Sequence, residues 1–159
     1  MSFSDFYLNF DQLFVCRFFD KDYTKIFVES EWKVANATAG GCSNYDSVGY
    51  NPQMKLTVEP KKSGGTVEAF MELNLQGLSS QSSKIGIGFE IYDLQGKKVT
   101  DRRVPKPIYT NDGGYKISTA VTFDGALSGT GSQPLTVIMS TFKPDIEANF
   151  RFTLHYKHS

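Results

Sequence analysis

The stretch IGIGFEIY, residues 85–92, decides the fold class, because apolar side chains recur in it at every second position. One face of the extended chain carries Ile85, Ile87, Phe89 and Ile91. This period of two is typical of a strand that packs one face on a core. The small residues opposite, Gly86 and Gly88, predict that a neighbouring backbone approaches this strand closely.

Segments on both sides of this strand are rich in β-branched and aromatic residues, and several alternate in the same way. They are 13–19, 25–34, 54–59, 67–75, 115–123, 135–142 and 149–156. Aromatic residues at spacings of three and four predict a short helix over 1–14, where the chain leads into the strands. We expect an all-β fold over 15–159, an antiparallel β-sandwich of about eight strands in two sheets.

Charge balance and cysteine content narrow the function classes. The 159 residues include 17 basic and 17 acidic side chains, so no overall field draws the chain to nucleic acid. Cys16 and Cys42 are too few for a disulfide framework, which predicts a cytoplasmic chain with free thiols, although one disulfide between them stays open. The N-terminus does not resemble a signal peptide, and no apolar run approaches the ~20 residues of a membrane span, so we expect a soluble chain.

The glycine loop, TAGGCSNYDSVGYNPQ at residues 38–53, raises the question whether Cys42 is a nucleophile. A cysteine protease needs a thiolate, a histidine base and an orienting Asn or Asp. Alternation places His155 on the solvent face of the last strand, and His158 lies next to the chain end. The cysteines and histidines also do not have zinc-site spacing. We expect Cys42 to be a small buried thiol in a structured loop.

Three motifs resemble domain III of the calpain proteases. In the family, the first motif has a Trp, then AGGC followed by an Asn, and then NPQ before a strand. The matching residues of this chain are Trp32, Gly40, Gly41, Cys42, Asn44, Asn51, Pro52 and Gln53. IGIGFEIYDL (85–94) is similar to a strand of the family, and MSTFKPDIEANFRFTLHY (139–156) is similar to its ending. The motifs occur in the family's order, and residues 1–14 look like the junction with a protease core.

The resemblance implies an eight-stranded sandwich similar to calcium- and phospholipid-binding modules. It implies a non-catalytic regulatory domain beside a papain-like cysteine protease core, which would be its partner within one polypeptide. Calcium or membrane signals would reach the protease through this domain, with anionic phospholipid as a further partner.

Candidate calcium ligands are scattered acidic residues in loops: Asp20, Asp22, Asp46, Asp145 and Glu147. Calcium requires several oxygen ligands that converge on one point, which a sequence alone does not establish. Conventional calpains carry a strongly acidic loop after the NPQ strand, whereas this chain has VEPKKSGGTVE at 58–68, with Lys61 and Lys62 in its centre. The acidic-loop form of a calcium switch is therefore not expected here.

The basic segment, residues 97–106, contains five cationic side chains and one acid, Asp101. Its cations are Lys97, Lys98, Arg102, Arg103 and Lys106. Three interpretations stay open: contact with an anionic membrane, contact with an acidic partner domain, or an edge strand or hairpin that charge protects from pairing. The alternative to a calpain module is a freestanding lipid- or protein-binding adaptor that uses this segment.

Overall fold

The computed structural model describes residues 17–57, 59–60, 65–77, 84–128 and 134–158, with the backbone alone at 158. These residues form nine strands: β1 (Thr24–Trp32), β2 (Gln53–Leu56), β3 (Thr66–Gln76), β4 (Gly86–Tyr92), β5 (Tyr109–Thr110), β6 (Lys116–Ile117), β7 (Ala120–Ser128), β8 (Leu135–Thr141) and β9 (Ala148–His158). Two short 3₁₀ helices cover Val34–Asn36 and Asp46–Tyr50. The predicted helix over 1–14 lies outside the described residues.

The strands form two antiparallel sheets, which confirms the predicted β-sandwich. Sheet 1 has the order β1-β9-β3-β7, and sheet 2 has the order β2-β8-β4-β5, with β6 also paired to β4. All nine residues of β1 pair with β9, from Thr24 opposite Tyr156 to Trp32 opposite Ala148. Within the described part of the chain, no helix is long and apolar enough to cross a bilayer.

Alternate residues of facing strands build the core between the sheets. β3 buries Val67, Ala69, Met71, Leu73 and Leu75. β9 buries Phe150, Phe152 and Leu154 in the same cluster. Phe89 of β4 meets Phe152 edge-on, with 5.2 Å between the ring centroids. Each fully buried large side chain contributes on the order of 1.5–3 kcal/mol, so this layer supplies most of the apolar stabilisation.

β8 is buried along its whole length, because it lies between β2 and β4 and both of its faces are covered. Its inner face carries Leu135, Val137 and Met139, which belong to the core between the sheets. Its outer face carries Ile138, which packs in a second cluster with loop residues. The almost continuous apolar run of this strand follows from its central position.

Several strand predictions are wrong in detail. Residues 17–19 of the predicted strand 13–19 are not in a strand, and the rest of it lies outside the described residues. The predicted strand 115–123 contains β6 of sheet 2 and the start of β7 of sheet 1, so the chain changes sheets at 118–119. The two-residue strand β5 was not predicted.

The glycines of β4 make room for side chains and not for a neighbouring backbone, so that prediction is wrong. A Cβ atom at Gly88 would lie 2.8 Å from the Tyr115 ring. A Cβ atom at Gly86 would lie 3.1 Å from the Cβ atom of Phe142. The outer face of β4 is thus covered by aromatic rings, which pack against each other with 5.8 Å between the centroids of Tyr115 and Phe142.

Candidate functional site

The glycine loop and the basic segment together cover the outer face of sheet 2, and we call their joint surface the loop face. Val48 of the glycine loop and Val99 of the basic segment pack in one buried cluster with Tyr92 and Ile138 of the sheet. This cluster anchors both loops to the same sheet. The two segments singled out in the sequence are therefore one structural unit, although 43 residues, 54–96, lie between them in the chain.

Asn51 organises the glycine loop through its buried side chain. The amide oxygen accepts a hydrogen bond from the Gly40 N–H (3.1 Å), and the amide nitrogen donates to the carbonyls of Gly41 (2.6 Å) and Val48 (3.0 Å). Gly41 has φ of +74°, a conformation that residues with a side chain rarely adopt. The motif residues of this loop therefore hold one backbone shape.

Gln53 joins the glycine loop to the basic segment. Its amide nitrogen donates to the carbonyls of Gly49 (3.1 Å) and Val99 (2.9 Å), and its amide oxygen accepts from the Val99 N–H (2.9 Å). A Cβ atom at Gly49 would lie 2.3 Å from the carbonyl oxygen of Thr100, so the two backbones are in direct contact there. This function of Gln53 could not be predicted from the sequence, because nothing in the spacing of the motif shows that residue 99 lies beside it.

Residues 97–106 have no strand assignment, so the basic segment is not the edge strand of the third interpretation. It lies in the connection between β4 and β5, which pair antiparallel. Arg103 donates two side-chain hydrogen bonds to Asp101, and these bonds lower the pKa of the Asp101 carboxyl to about 2. Arg102 forms an ion pair with Asp46 of the glycine loop, with 2.8 Å between Nε and Oδ1. Both arginines therefore have acidic partners on the loop face.

The three lysines of the basic segment, Lys97, Lys98 and Lys106, are exposed, and none forms a salt bridge with a described residue. Lys98 borders a cleft of about 460 Å³, which Lys55 and the exposed Tyr50 also line. The cleft thus combines two ammonium groups with an aromatic ring. Such a combination suits an anionic group that carries an apolar part.

Cys42 lies in a buried polar network that does not activate it. Glu90, on the outer face of β4, accepts hydrogen bonds from the hydroxyls of Ser43 (3.0 Å) and Tyr92 (2.7 Å). Burial raises the pKa of the Cys42 thiol, and the negative charge of Glu90 raises it further. Burial and the hydrogen bond to Glu90 likewise raise the pKa of Tyr92. Because the thiolate is the nucleophilic form, this environment opposes nucleophilic chemistry at Cys42.

His155 lies on the opposite side of the molecule from Cys42. It projects from the outer face of sheet 1, where its ring stacks on Phe19 with 3.7 Å between centroids. Burial lowers its pKa. Since packed sheets are about 10 Å apart, the imidazole and the thiol cannot be within hydrogen-bonding distance. The side chain of His158 is outside the described residues.

The acidic residues considered as calcium ligands lie in separate places. Asp20 and Asp22 both lie near the ammonium group of Lys157, at 3.6 and 3.3 Å. The Glu147 carboxylate accepts a hydrogen bond from the Val34 N–H at 2.9 Å, and Asp145 lies in the same turn. The described part of the chain contains no group of three or more His, Cys, Asp or Glu side chains that could hold a metal ion.

The remaining motif residues connect the glycine loop to β8. Trp32 is buried, donates its indole N–H to the Met139 carbonyl (3.0 Å), and stacks on Phe150 with 4.3 Å between centroids. The Met139 N–H in turn donates to the Pro52 carbonyl (3.3 Å). Both backbone groups of Met139 therefore bind motif residues. Asn44 is exposed.

Comparison with known proteins assigns a family to the chain. Residues 28–155 match the family model of the calpain large subunit, domain III. This chain is a calpain domain III. The match includes Trp32, the glycine loop, the basic segment and the core strands, so it extends over nearly all the contacts described above.

Three calpain-type relatives show how much of a larger protein this domain III represents. The chain is 29% identical to the calpain-type cysteine protease DEK1 of Zea mays over 181 residues, which cover 100% of the chain and 8% of the relative. It is 34% identical to ADL1 of Oryza sativa subsp. japonica over 60% of the chain and 5% of the relative. It is 27% identical to human calpain-9 over 94% of the chain and 24% of the relative. The chain thus spans a small share of each relative and is not the catalytic part of such a protease.

Proposed function

We propose that this domain III is a non-catalytic regulatory module, which contacts a protease core and other domains of its own polypeptide and docks through its basic segment on anionic phospholipid. It would act in the cytoplasm and bind membranes peripherally. The observation that carries the proposal is the attachment of the basic segment to the glycine loop by Gln53. This attachment fixes the backbone from which the three lysines project.

The charge arrangement leaves three lysines available to an anionic surface. Arg102 and Arg103 already have acidic partners, so the cations left for an external ligand are Lys97, Lys98 and Lys106. Each basic residue near an anionic membrane contributes about 1 kcal/mol, so three give about 3 kcal/mol. Such docking is reversible and depends on contacts elsewhere in the polypeptide, as regulation requires.

The proposal does not require calcium. Asp20 and Asp22 lie beside Lys157, and Asp46 is paired with Arg102. A calcium ion at these carboxylates would have to displace the cations that neutralise them. We expect vesicle binding to be equal in millimolar calcium and in a calcium chelator, and a strong increase with calcium would contradict the proposal.

Vesicle co-sedimentation tests the docking function. The variant Lys97→Gln/Lys98→Gln/Lys106→Gln should bind phosphatidylserine vesicles at least about tenfold more weakly than the natural chain. The matched control, Lys21→Gln/Lys84→Gln/Lys116→Gln, loses the same charge at exposed positions outside the loop face and should bind normally. Binding of the natural chain to these vesicles should weaken as the salt concentration rises, because the attraction is electrostatic. Equal loss in both variants would show that net charge alone is responsible and would contradict the proposal.

Peptide hydrolysis tests the non-catalytic part of the proposal. We expect no turnover of unstructured peptides by this chain, with or without calcium, because the Cys42 thiol has a raised pKa and the described imidazole, that of His155, lies on the other side of the molecule. Turnover that Cys42→Ala abolishes would contradict this.

A freestanding lipid- or protein-binding adaptor is the alternative function. It would use the same lysines and give the same vesicle result. The native open reading frame distinguishes the two, since the regulatory module requires a cysteine protease core in the same polypeptide.

A further inference from the structure

β1 is an edge strand with an unusual run of exposed apolar residues in its centre. Its only strand partner among the described residues is β9, so no described strand pairs with the backbone N–H and C=O groups on its other side. Ile26 is 41% exposed, Phe27 57% and Val28 39%. Edge strands that stay unpaired usually carry charges or Pro at such central positions.

The exposure of Ile26 and Val28 has a structural cause. Both residues lie on the core face of sheet 1, opposite Leu154 and Phe152 of β9. The strand that would cover them in sheet 2 is β2, which has four residues, whereas β1 has nine. Ile26 therefore borders a groove of about 380 Å³ between the sheet edges, which Leu56 and Leu154 line together with Lys55 and Glu59.

The described segment before β1 does not cover this edge. Phe19 packs on His155 and Phe70, and Arg17 is paired with Asp124 of β7. Residues 17–19 thus cross the outer face of sheet 1 over β9, β3 and β7, which lie on the side of the sheet away from the free edge of β1.

We propose that β1 pairs antiparallel with β1 of a second copy of this chain, with Phe27 opposite Phe27 at the two-fold axis. This register joins the two four-stranded sheets into one sheet of eight strands. It forms about six backbone hydrogen bonds across the new ladder. The inference does not depend on the proposed lipid docking.

The sequence of β1 is complementary to itself in this register. Ile26 lies opposite Val28 of the second copy, so the exposed apolar residues cover one another. Lys25 lies opposite Glu29, and the two-fold axis generates this pair twice. Lys25 has no salt bridge with a described residue, and Glu29 is held in place by Arg151. Opposite charges directly across an antiparallel pair are stabilising, and like charges are destabilising.

An extended segment of a different protein is the competing occupant. It would use the same backbone groups, but nothing in β1 would favour it over a second copy, whereas the order Lys-Ile-Phe-Val-Glu fits the reversed order of the same strand. Since a single strand pair is smaller than a standard interface, the dimer should be weak and concentration-dependent.

Analytical ultracentrifugation with charge-reversed variants tests the pairing. The natural chain should dimerise between about 10 µM and about 1 mM. Lys25→Glu and Glu29→Lys, each alone, place like charges opposite each other twice and should weaken dimerisation at least about fivefold. An equimolar mixture of the two variants restores both opposite-charge pairs and should form a heterodimer. Lys143→Glu, at an exposed turn, is the matched control and should behave as the natural chain.

Cysteine cross-linking tests the register without changing any charge. It therefore remains a valid test if Glu29→Lys unfolds the chain because the ion pair with Arg151 is lost. In a Cys16→Ser background, Phe27→Cys places two thiols directly opposite each other at disulfide distance. It should cross-link at least about fivefold faster than Thr24→Cys, whose opposite residue in this register is Ser30. A chain that stays monomeric at the highest concentration, a mixture that does not associate, or equal cross-linking at both positions would overturn the proposal.

Discussion

At the residue scale, the buried network around Glu90 determines how the domain responds to alkaline pH. Cys42, Tyr92 and Tyr115 all have pKa values raised mainly by burial. The same network explains why a cysteine in a glycine-rich loop is not a nucleophile. Glu90 is the one acidic residue in the otherwise apolar stretch IGIGFEIY. Its position is the sequence feature that could have indicated this network, since a carboxylate on a covered strand face needs hydrogen-bond donors.

The raised pKa values predict that the domain loses stability above about pH 9. The folded state keeps the Cys42 and Tyr92 protons at pH values where the unfolded chain, with ordinary pKa values of 9.0 and 10.0, releases them. Their stabilising contribution is complete below these values and is lost as pH rises above them. Each group lowers the free energy of unfolding by up to about 1.4 kcal/mol per pH unit in that range.

Urea unfolding at a series of pH values measures this effect. Tyr92→Phe should flatten the dependence above about pH 10, whereas Tyr50→Phe, at an exposed position, should leave it unchanged. A free energy of unfolding that is constant from about pH 8 to about pH 10.5 would contradict the account.

At the element scale, the basic segment has a defined position without being a strand. Charged residues lie on both sides of Val99 and Val104, so the segment has no periodic hydrophobic pattern. For this reason neither its attachment to the glycine loop nor the exposure of its lysines could be predicted. The strands were easier to predict where apolar residues recur at every second position, as in β3 and β4. The division of 115–123 into β6 and β7 could not be predicted, because the alternation continues while the chain changes sheets.

Replacing Gln53 should release the basic segment without unfolding the sandwich. Gln53→Ala removes three hydrogen bonds and leaves the Val99 N–H without a partner, which should lower the free energy of unfolding by about 1–3 kcal/mol. Amide hydrogen exchange at Val99 should accelerate at least about tenfold, while Phe89 in β4 stays protected.

Gln76→Ala, at the end of β3, is the matched control and should change the free energy of unfolding by less than about 0.5 kcal/mol. If Val99 exchanges at the same rate in Gln53→Ala and in the natural chain, Gln53 does not hold the segment.

At the scale of the whole molecule, the two outer faces of the sandwich differ. Sheet 2 is covered by the loop face, which combines the motif residues with the free lysines. Sheet 1 carries exposed ion pairs such as Arg151 with Glu29, and its free edge is β1. The sandwich and the burial of alternate residues could be predicted from the sequence. The contact between Gln53 and Val99, which are 46 residues apart, could not be predicted, because local periodicity carries no information on long-range pairing.

The central claim is that the loop face is the docking surface of this domain III. The most direct test is to titrate the ¹⁵N-labelled chain with nanodiscs that contain phosphatidylserine and to record the amide spectrum. We predict that the intensity losses and shifts concentrate at residues 97–106 and in the glycine loop, and that they disappear in the Lys97→Gln/Lys98→Gln/Lys106→Gln variant. Perturbations centred on the outer face of sheet 1, or an unchanged response in the lysine variant, would contradict the account.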